Sequence, residues 1–165
     1  MIPVLNKSLN ERSKRALKYL ALLAARTDST AWRQAAELIR RSGGYRWVGL
    51  YAVADTEIRA LAWTGTTPPA FPRFPRANGL NGAAVERKEP VICQDVSKNS
   101  YYLTTFESTG SEAIVPVMCE AGDVIGTIDV ESEHQNAFTA DDEQFLRACA
   151  DALRALWKSA PGAAI

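Results

Sequence analysis

The chain has no apolar run near the roughly 20 residues that span a bilayer, which excludes a membrane-crossing helix from its reading. It has one histidine, His134, without a Ser or Cys placed to form a nucleophile–base pair, so triad chemistry finds no support. Its three cysteines, Cys93, Cys119 and Cys149, are odd in number and far apart. That spacing offers neither a disulfide framework nor a Cys/His zinc site, and no metal or other cofactor is expected. Each cysteine sits in an apolar run, as reduced, buried thiols of a cytoplasmic protein do. Net charge is also lacking, since 19 basic residues cancel 19 acidic ones, and this removes the electrostatic reason to expect nucleic acid or an anionic membrane as partner. Lys7, Lys14 and Arg15 near the start are followed by no apolar core of a signal peptide. Asn78 to Gly82 contains glycine but lacks the Gly-Lys-Ser/Thr ending of a phosphate loop. There is no repeat and no low-complexity segment.

What is present is a globular composition, 47% hydrophobic and 23% charged over 165 residues, enough for one domain with a real core. Ser8-Leu9-Asn10-Glu11 reads as a capping box opening a helix to about Arg26. Asp28 or Ser29 opens a second helix with the stripe Trp32, Ala35, Ala36 and Ile39, stopped at Ser42-Gly43-Gly44. Arg46 to Val53 and Glu57 to Thr64 read as a hairpin. Thr66 to Asn78 holds four of the eight prolines and reads as a loop, because proline lacks the N–H that a ladder needs. A short helix over Leu80 to Arg87, a strand over Val91 to Asp95 and an irregular segment to Gly110 follow. Ala113 to Cys119 and Asp123 to Glu131 form a second hairpin, and Thr139 to Asp142 caps a last helix ahead of a frayed tail from Pro161. The expected architecture is α/β of the α+β kind. An antiparallel sheet of about five to six strands carries the terminal helices on one face and the insertions on the other. The single domain divides into N-terminal helices at 1–42, a sheet with insertions at 45–131 and a C-terminal helix at 139–158.

Alternation sorts residues by face. Val48, Leu50 and Ala52 point to the helices; Trp47, Gly49 and Tyr51 point away, with Gly49 leaving a gap between two aromatic walls. Val124, Gly126, Ile128 and Val130 form the apolar set of the last strand, while Thr127, Asp129 and Glu131 face the insertions and Glu112 opens the neighbouring strand. From alternation alone the acids read equally as the wet side of a half-buried sheet, and the aromatics as packing under the Pro-rich loop.

Four stretches carry a resemblance: Val-Gly-Leu-Tyr at 48–51, Pro-Ala-Phe-Pro-Arg-Phe-Pro-Arg-Ala-Asn-Gly-Leu-Asn-Gly at 69–82, Ser-Glu-Ala-Ile-Val-Pro-Val at 111–117 and Gly-Thr-Ile-Asp-Val-Glu-Ser at 126–132. Together they resemble a stand-alone GAF domain of the free methionine-(R)-sulfoxide reductase type. The resemblance implies a ligand pocket lined by Trp47, Tyr51, Arg73, Glu112, Asp129 and Glu131, with Glu131 where Asp is usual. It also implies three cysteines, and here Phe71, Asn81 and Thr105 stand at those positions. A thiolate must attack sulfur and a second thiol must resolve the product, and Phe and Asn can do neither.

The expected function is a small-molecule-binding sensor domain that has lost thiol-dependent catalysis and signals through a downstream protein or its own homodimer, paired through the terminal helices. Two rivals stand beside it. One is an active reductase using Cys93 or Cys119; the other is a scaffold whose pocket Phe71 plugs. The expected ligand bears a positively charged amine. Two carboxylates about 6 Å apart repel by roughly 2–3 kcal/mol at an effective dielectric near 20, so three together call for a cation or a retained proton. Arg73 is the alternative neutralising charge.

Overall fold

The computed structural model describes residues 9–161. Helix α1 (Glu11–Ala24) is capped by Asn10, whose Oδ1 accepts a hydrogen bond from the Ser13 N–H at 2.8 Å. The expected Ser8 cap lies outside the described residues, and Asn10 takes over because its short amide reaches the first-turn donors equally well. The helix stops before Arg26, whose guanidinium folds back onto Asp28 at 2.7 Å. Helix α2 (Thr30–Gly43) buries the expected stripe Trp32, Ala35, Ala36 and Ile39. Helix α3 (Gly79–Arg87) lies in the insertion region. Helix α4 (Ala140–Leu153) opens on the reciprocal Thr139–Asp142 capping box and continues into a 3-10 turn over Arg154–Ser159.

Six strands form one antiparallel sheet: β1 (Trp47–Val53), β2 (Glu57–Trp63), β3 (Arg73–Pro75), β4 (Val91–Cys93), β5 (Ser111–Met118) and β6 (Val124–Ser132). The spatial order is β3-β2-β1-β6-β5-β4, so the two long central strands are β1 and β6. Strand β3 corrects the expectation of a pure loop. Proline is tolerated there because β3 is a sheet edge, with its unpaired side turned away from the ladder.

The main core lies between one sheet face and α1, α2 and α4, and includes Leu20, Ile39, Val48, Leu50, Ile128, Val130, Leu146 and Leu153. Each such side chain contributes about 1.5–3 kcal/mol on burial. Val124 departs from its expected face. The β5–β6 register shifts beside Met118, so Val124 joins the opposite cluster with Tyr51 and Phe74 while Ile125 packs towards the helices. One extra residue in a ladder flips the alternation beyond it.

The Trp157 indole crosses the sheet over Gly126, donating its N–H to the Tyr51 carbonyl at 2.9 Å and packing edge-on against Trp32. A Cβ at Gly126 would fall within 1.8 Å of the indole nitrogen. Gly126→Ala is therefore expected to destabilise the protein by about 3 kcal/mol or more, since neither a central strand nor a buried indole can step aside cheaply. Urea unfolding measures this, and a loss below about 1 kcal/mol contradicts the packing argument.

Candidate functional site

The face away from the helices carries the chemistry. On β1, Trp47 and Tyr51 flank Gly49, as alternation requires. The expected gap is closed, because a Cβ at Gly49 would come within 2.3 Å of the Trp47 ring and 2.9 Å of the Tyr51 ring. Glycine here lets two aromatic rings converge over the strand. Trp47 packs edge-on against Phe106 at 5.6 Å, and Tyr51 against Phe74 at 6.0 Å, so both rings are held from the insertion side.

The ladders bring the acids together. Glu112 on β5 stands directly opposite Glu131 on β6, and Asp129 opposes Gly49 on one side and Ile114 on the other. Each carboxylate offers an oxygen within 4.8 Å of the other two, and all three side chains are buried. Asn81 donates its amide N–H to Asp129 Oδ2 at 3.0 Å and accepts from the Thr127 hydroxyl, and the Thr109 hydroxyl donates to Glu131 Oε2 at 2.5 Å. With every carboxyl ionised, Glu112 Oε2, Asp129 Oδ1 and Glu131 Oε1 have no hydrogen-bond donor among the described residues, nor has the Trp47 indole N–H an acceptor, while a proton retained on the pair joins Glu112 to Asp129. Ionising all three acids would leave these buried oxygens unpaired, a costly arrangement for a merely structural patch.

Burial moves the acids' titration upward. Asp129 is pushed up to about 8, first by desolvation and then by the charge of Glu131. Glu112 lies well above the usual carboxylate range through desolvation and the charges of Asp129 and Glu131. Glu131 is raised by desolvation, opposed by the hydroxyls of Thr105 and Thr109 and the charge of Arg46. At neutral pH the cluster therefore keeps protons. Three converging oxygens fall short of the six or more that hard divalent cations take, and the Asn81 amide donates into the group.

The cavity above the acids is lined by Tyr51, Phe71, Asn81, Thr105, Glu112 and Asp129, among others. Phe71, Asn81 and Thr105, the positions where the resemblance implies cysteine, thus converge on one cavity with two of the acids. Its free space is about 10 Å³, room for one water. Phe71 sits at the mouth, 46% exposed, while Asn81 is buried against Asp129. Of the proposed lining residues, the structure brings Trp47, Tyr51, Glu112, Asp129 and Glu131 to this region. It does not bring Arg73, which lies on the edge strand, exposed, paired with Glu57 at 3.3 Å. Its neighbour Phe74 lines the cavity, and because successive residues of a strand face opposite sides Arg73 is turned away from the cluster. Thr127 was legible as a partner, sharing the alternation of Asp129. The bonds of Asn81 and Thr109 were not, since Asn81 comes from the short helix α3 and Thr109 from a loop, and neither pattern says which strand residue they meet.

No thiol lines the cavity, although Cys93 stands directly opposite Glu112 on the neighbouring strand and borders the acid cluster. Cys93 is buried on β4, its sulfur accepting from the Asn99 amide at 3.6 Å. Cys149 is buried in the helix-side core, where burial pushes its thiol well up, and Cys119 is half-buried at the end of β5.

The GAF domain pattern matches residues 29–155. The chain is similar to GAF domain-containing protein A of Dictyostelium discoideum, 30% identical over 66% of this chain and 67% of that protein. It is similar to the free methionine-R-sulfoxide reductase of Escherichia coli, 29% identical over 77% of this chain and 76% of that one. Its structure is similar to that of the type II free methionine-R-sulfoxide reductase of Thermoplasma acidophilum, with a TM-score of 0.74 and 30% identity, covering 84% of this chain and 94% of that chain.

Proposed function

This chain belongs to the GAF domain family, and from that premise we propose that it is a small-molecule-binding sensor domain without thiol-dependent reductase activity. The observation that carries this is the cavity lining: Tyr51, Glu112 and Asp129 face the cavity, and no thiol is among its lining residues. The ligand is an amine-bearing small molecule. An ammonium offers three donors and a positive charge to the three acids in exchange for the protons they hold, and the faces of Trp47 and Tyr51 suit a cation or an apolar chain. Binding requires Phe71 and the segment carrying Leu103 and Thr105 to move outward, because the closed cavity admits only a water.

Calorimetry against a panel of amino acids and simple amines, with carboxylic acids and nucleotides as controls, tests this. The expected result is amine binding that weakens roughly 30-fold in Asp129→Asn, as when one partner of a buried charged pair is removed. Binding of acids or nucleotides in place of amines, or an unaltered affinity in Asp129→Asn, contradicts the reading. A second reading, an interaction scaffold that binds nothing there, is favoured by the small free space and by Asn81 occupying Asp129. Native mass spectrometry of gently purified protein separates the two.

A further inference from the structure

One stretch of the helix-bearing sheet face is left open. The 3-10 turn over Arg154–Ser159 covers Gly126 with Trp157, and beside it a cleft of about 910 Å³ runs to the β1–β2 and β5–β6 turns. Ala52, Ile125 and Trp157 belong to its apolar lining, and Arg59, Arg76, Arg154 and Lys158 bring charge to it. Ala52 pairs with Gly126 on one side and with Arg59 on the other, so Arg59 faces the helix side, away from the acid cluster.

The charges of this cleft are not balanced where they are buried. Arg59, Arg76 and Arg154 are half-buried, whereas the acids that line the cleft, Asp55, Glu120 and Asp123, are exposed in the two turns. Asp123 already faces Lys88 at 3.7 Å. Arg59, Arg76 and Lys158 have no carboxylate within 4 Å among the described residues. Arg76 donates to the Ala54 carbonyl at 2.7 Å, which positions its guanidinium without cancelling its charge. Arg154 gives one Nη to Asp151 at 3.0 Å, while its Nε is buried with no acceptor. Arg59 also stands directly across the β2–β3 ladder from Arg73, and Glu57 is paired with Arg73. Like charges directly opposite one another on a sheet destabilise it, and half-buried cations without an anion add to that cost.

We propose that this cleft is a second ligand site, and that it takes a small organic phosphate. Guanidinium forks match phosphate oxygens in pairs, and the Arg154 Nε–H is a donor already waiting for one. A phosphate monoester brings about two negative charges and three acceptor oxygens, enough to answer several cations at once. A single carboxylate brings one charge and leaves the others unanswered. Ala52 and Ile125 offer apolar surface to the organic part, and the volume is that of a small-molecule site. The site goes beyond the amine pocket and is independent of it, since Asp129 lies on the opposite face of the sheet.

Calorimetry on the full chain with phenyl phosphate as probe tests this, with inorganic phosphate, phenylacetate and benzylamine run beside it. The expected result is binding of phenyl phosphate, weakened by salt and about tenfold tighter than that of inorganic phosphate or phenylacetate. Its affinity falls about tenfold in Arg59→Gln and in Arg154→Gln, falls less in the exposed Lys158→Gln, and is unchanged in Arg87→Gln on α3. It is also unchanged in Asp129→Asn, which separates this site from the amine pocket whether or not amines bind there. A retained thermal midpoint verifies the fold of each variant, and Lys158→Gln, at an exposed position, carries the test if a half-buried arginine proves necessary for folding. No binding of phenyl phosphate, inorganic phosphate binding equally well, phenylacetate binding in its place, or an affinity that the cleft variants leave unaltered would each overturn the proposal. So would a loss of phenyl phosphate binding in Asp129→Asn.

Discussion

Glu112→Gln raises the thermal midpoint of the ligand-free protein at pH 8 and hardly moves it at pH 5. Glu112 is buried opposite Glu131 and beside Asp129, and its folded-state titration lies well above the ordinary 4.5. The unfolded chain releases this proton near pH 4.5 while the folded chain holds it, so the unfolded state gains stability with rising pH. The stability tied to these protons is fully present below the unfolded value and is lost as pH rises through the folded one. For Asp129 that window runs from 3.8 to about 8. The slope is about 1.4 kcal/mol per pH unit for each retained proton. Gln mimics the protonated acid and has nothing to release. The variant therefore keeps at pH 8 the stability that the wild type loses as pH rises, and its thermal midpoint there is higher by about 2–4 °C for each kcal/mol retained. Thermal unfolding of both proteins from pH 5 to pH 8 checks it. A flat wild-type profile, or a variant that tracks the wild type throughout, means that the cluster is ionised and neutralised by other means. A bound amine supplies such means, and adding one is expected to flatten the wild-type profile.

The expected result of an assay with free methionine-(R)-sulfoxide and thiol reductants is no turnover. The step needs a thiolate at the sulfoxide sulfur and a second thiol to open the product. Phe71, Asn81 and Thr105 line the cavity where those groups would act, and Asn81 is committed to Asp129 and Thr127. Cys93 and Cys149 belong to clusters on opposite faces of the sheet, so they cannot resolve one another without unfolding. Cys119, beyond the β5 ladder, is likewise absent from the cavity wall. A coupled assay with dithiothreitol measures the rate. Turnover that vanishes in Cys93→Ser would restore the enzyme reading, since a thiol on β4 would then reach substrate through a rearranged cavity.

Much of this molecule was legible before any coordinates. The stripe Trp32, Ala35, Ala36 and Ile39 placed α2, because apolar residues recurring every 3.6 positions come to lie on one side of a helix. The Thr139–Asp142 pattern opened α4 for a local reason, two orphan groups satisfying each other. Alternation along β1 and β6 put Tyr51 and Asp129 on the face opposite Leu50 and Ile128, since a strand's period of two follows from its backbone.

Other features lay beyond a linear reading. The bulge that turns Val124 over depends on how β5 and β6 share hydrogen bonds, and no residue type announces it. The exposed pairing of Arg73 with Glu57 arises because Arg73 to Pro75 add a strand at the sheet edge, against the usual meaning of proline. Local periodicity and capping, which act over a few residues, determined the elements and their faces, while Phe71, Asn81 and Thr105 in place of cysteine are what the resemblance implies. Convergence was decided by tertiary structure alone. Three acids from two strands meet Asn81 from a helix and Thr109 from a loop only when the ladders set their register, and desolvation at that meeting point, which no local pattern encodes, is what holds their protons.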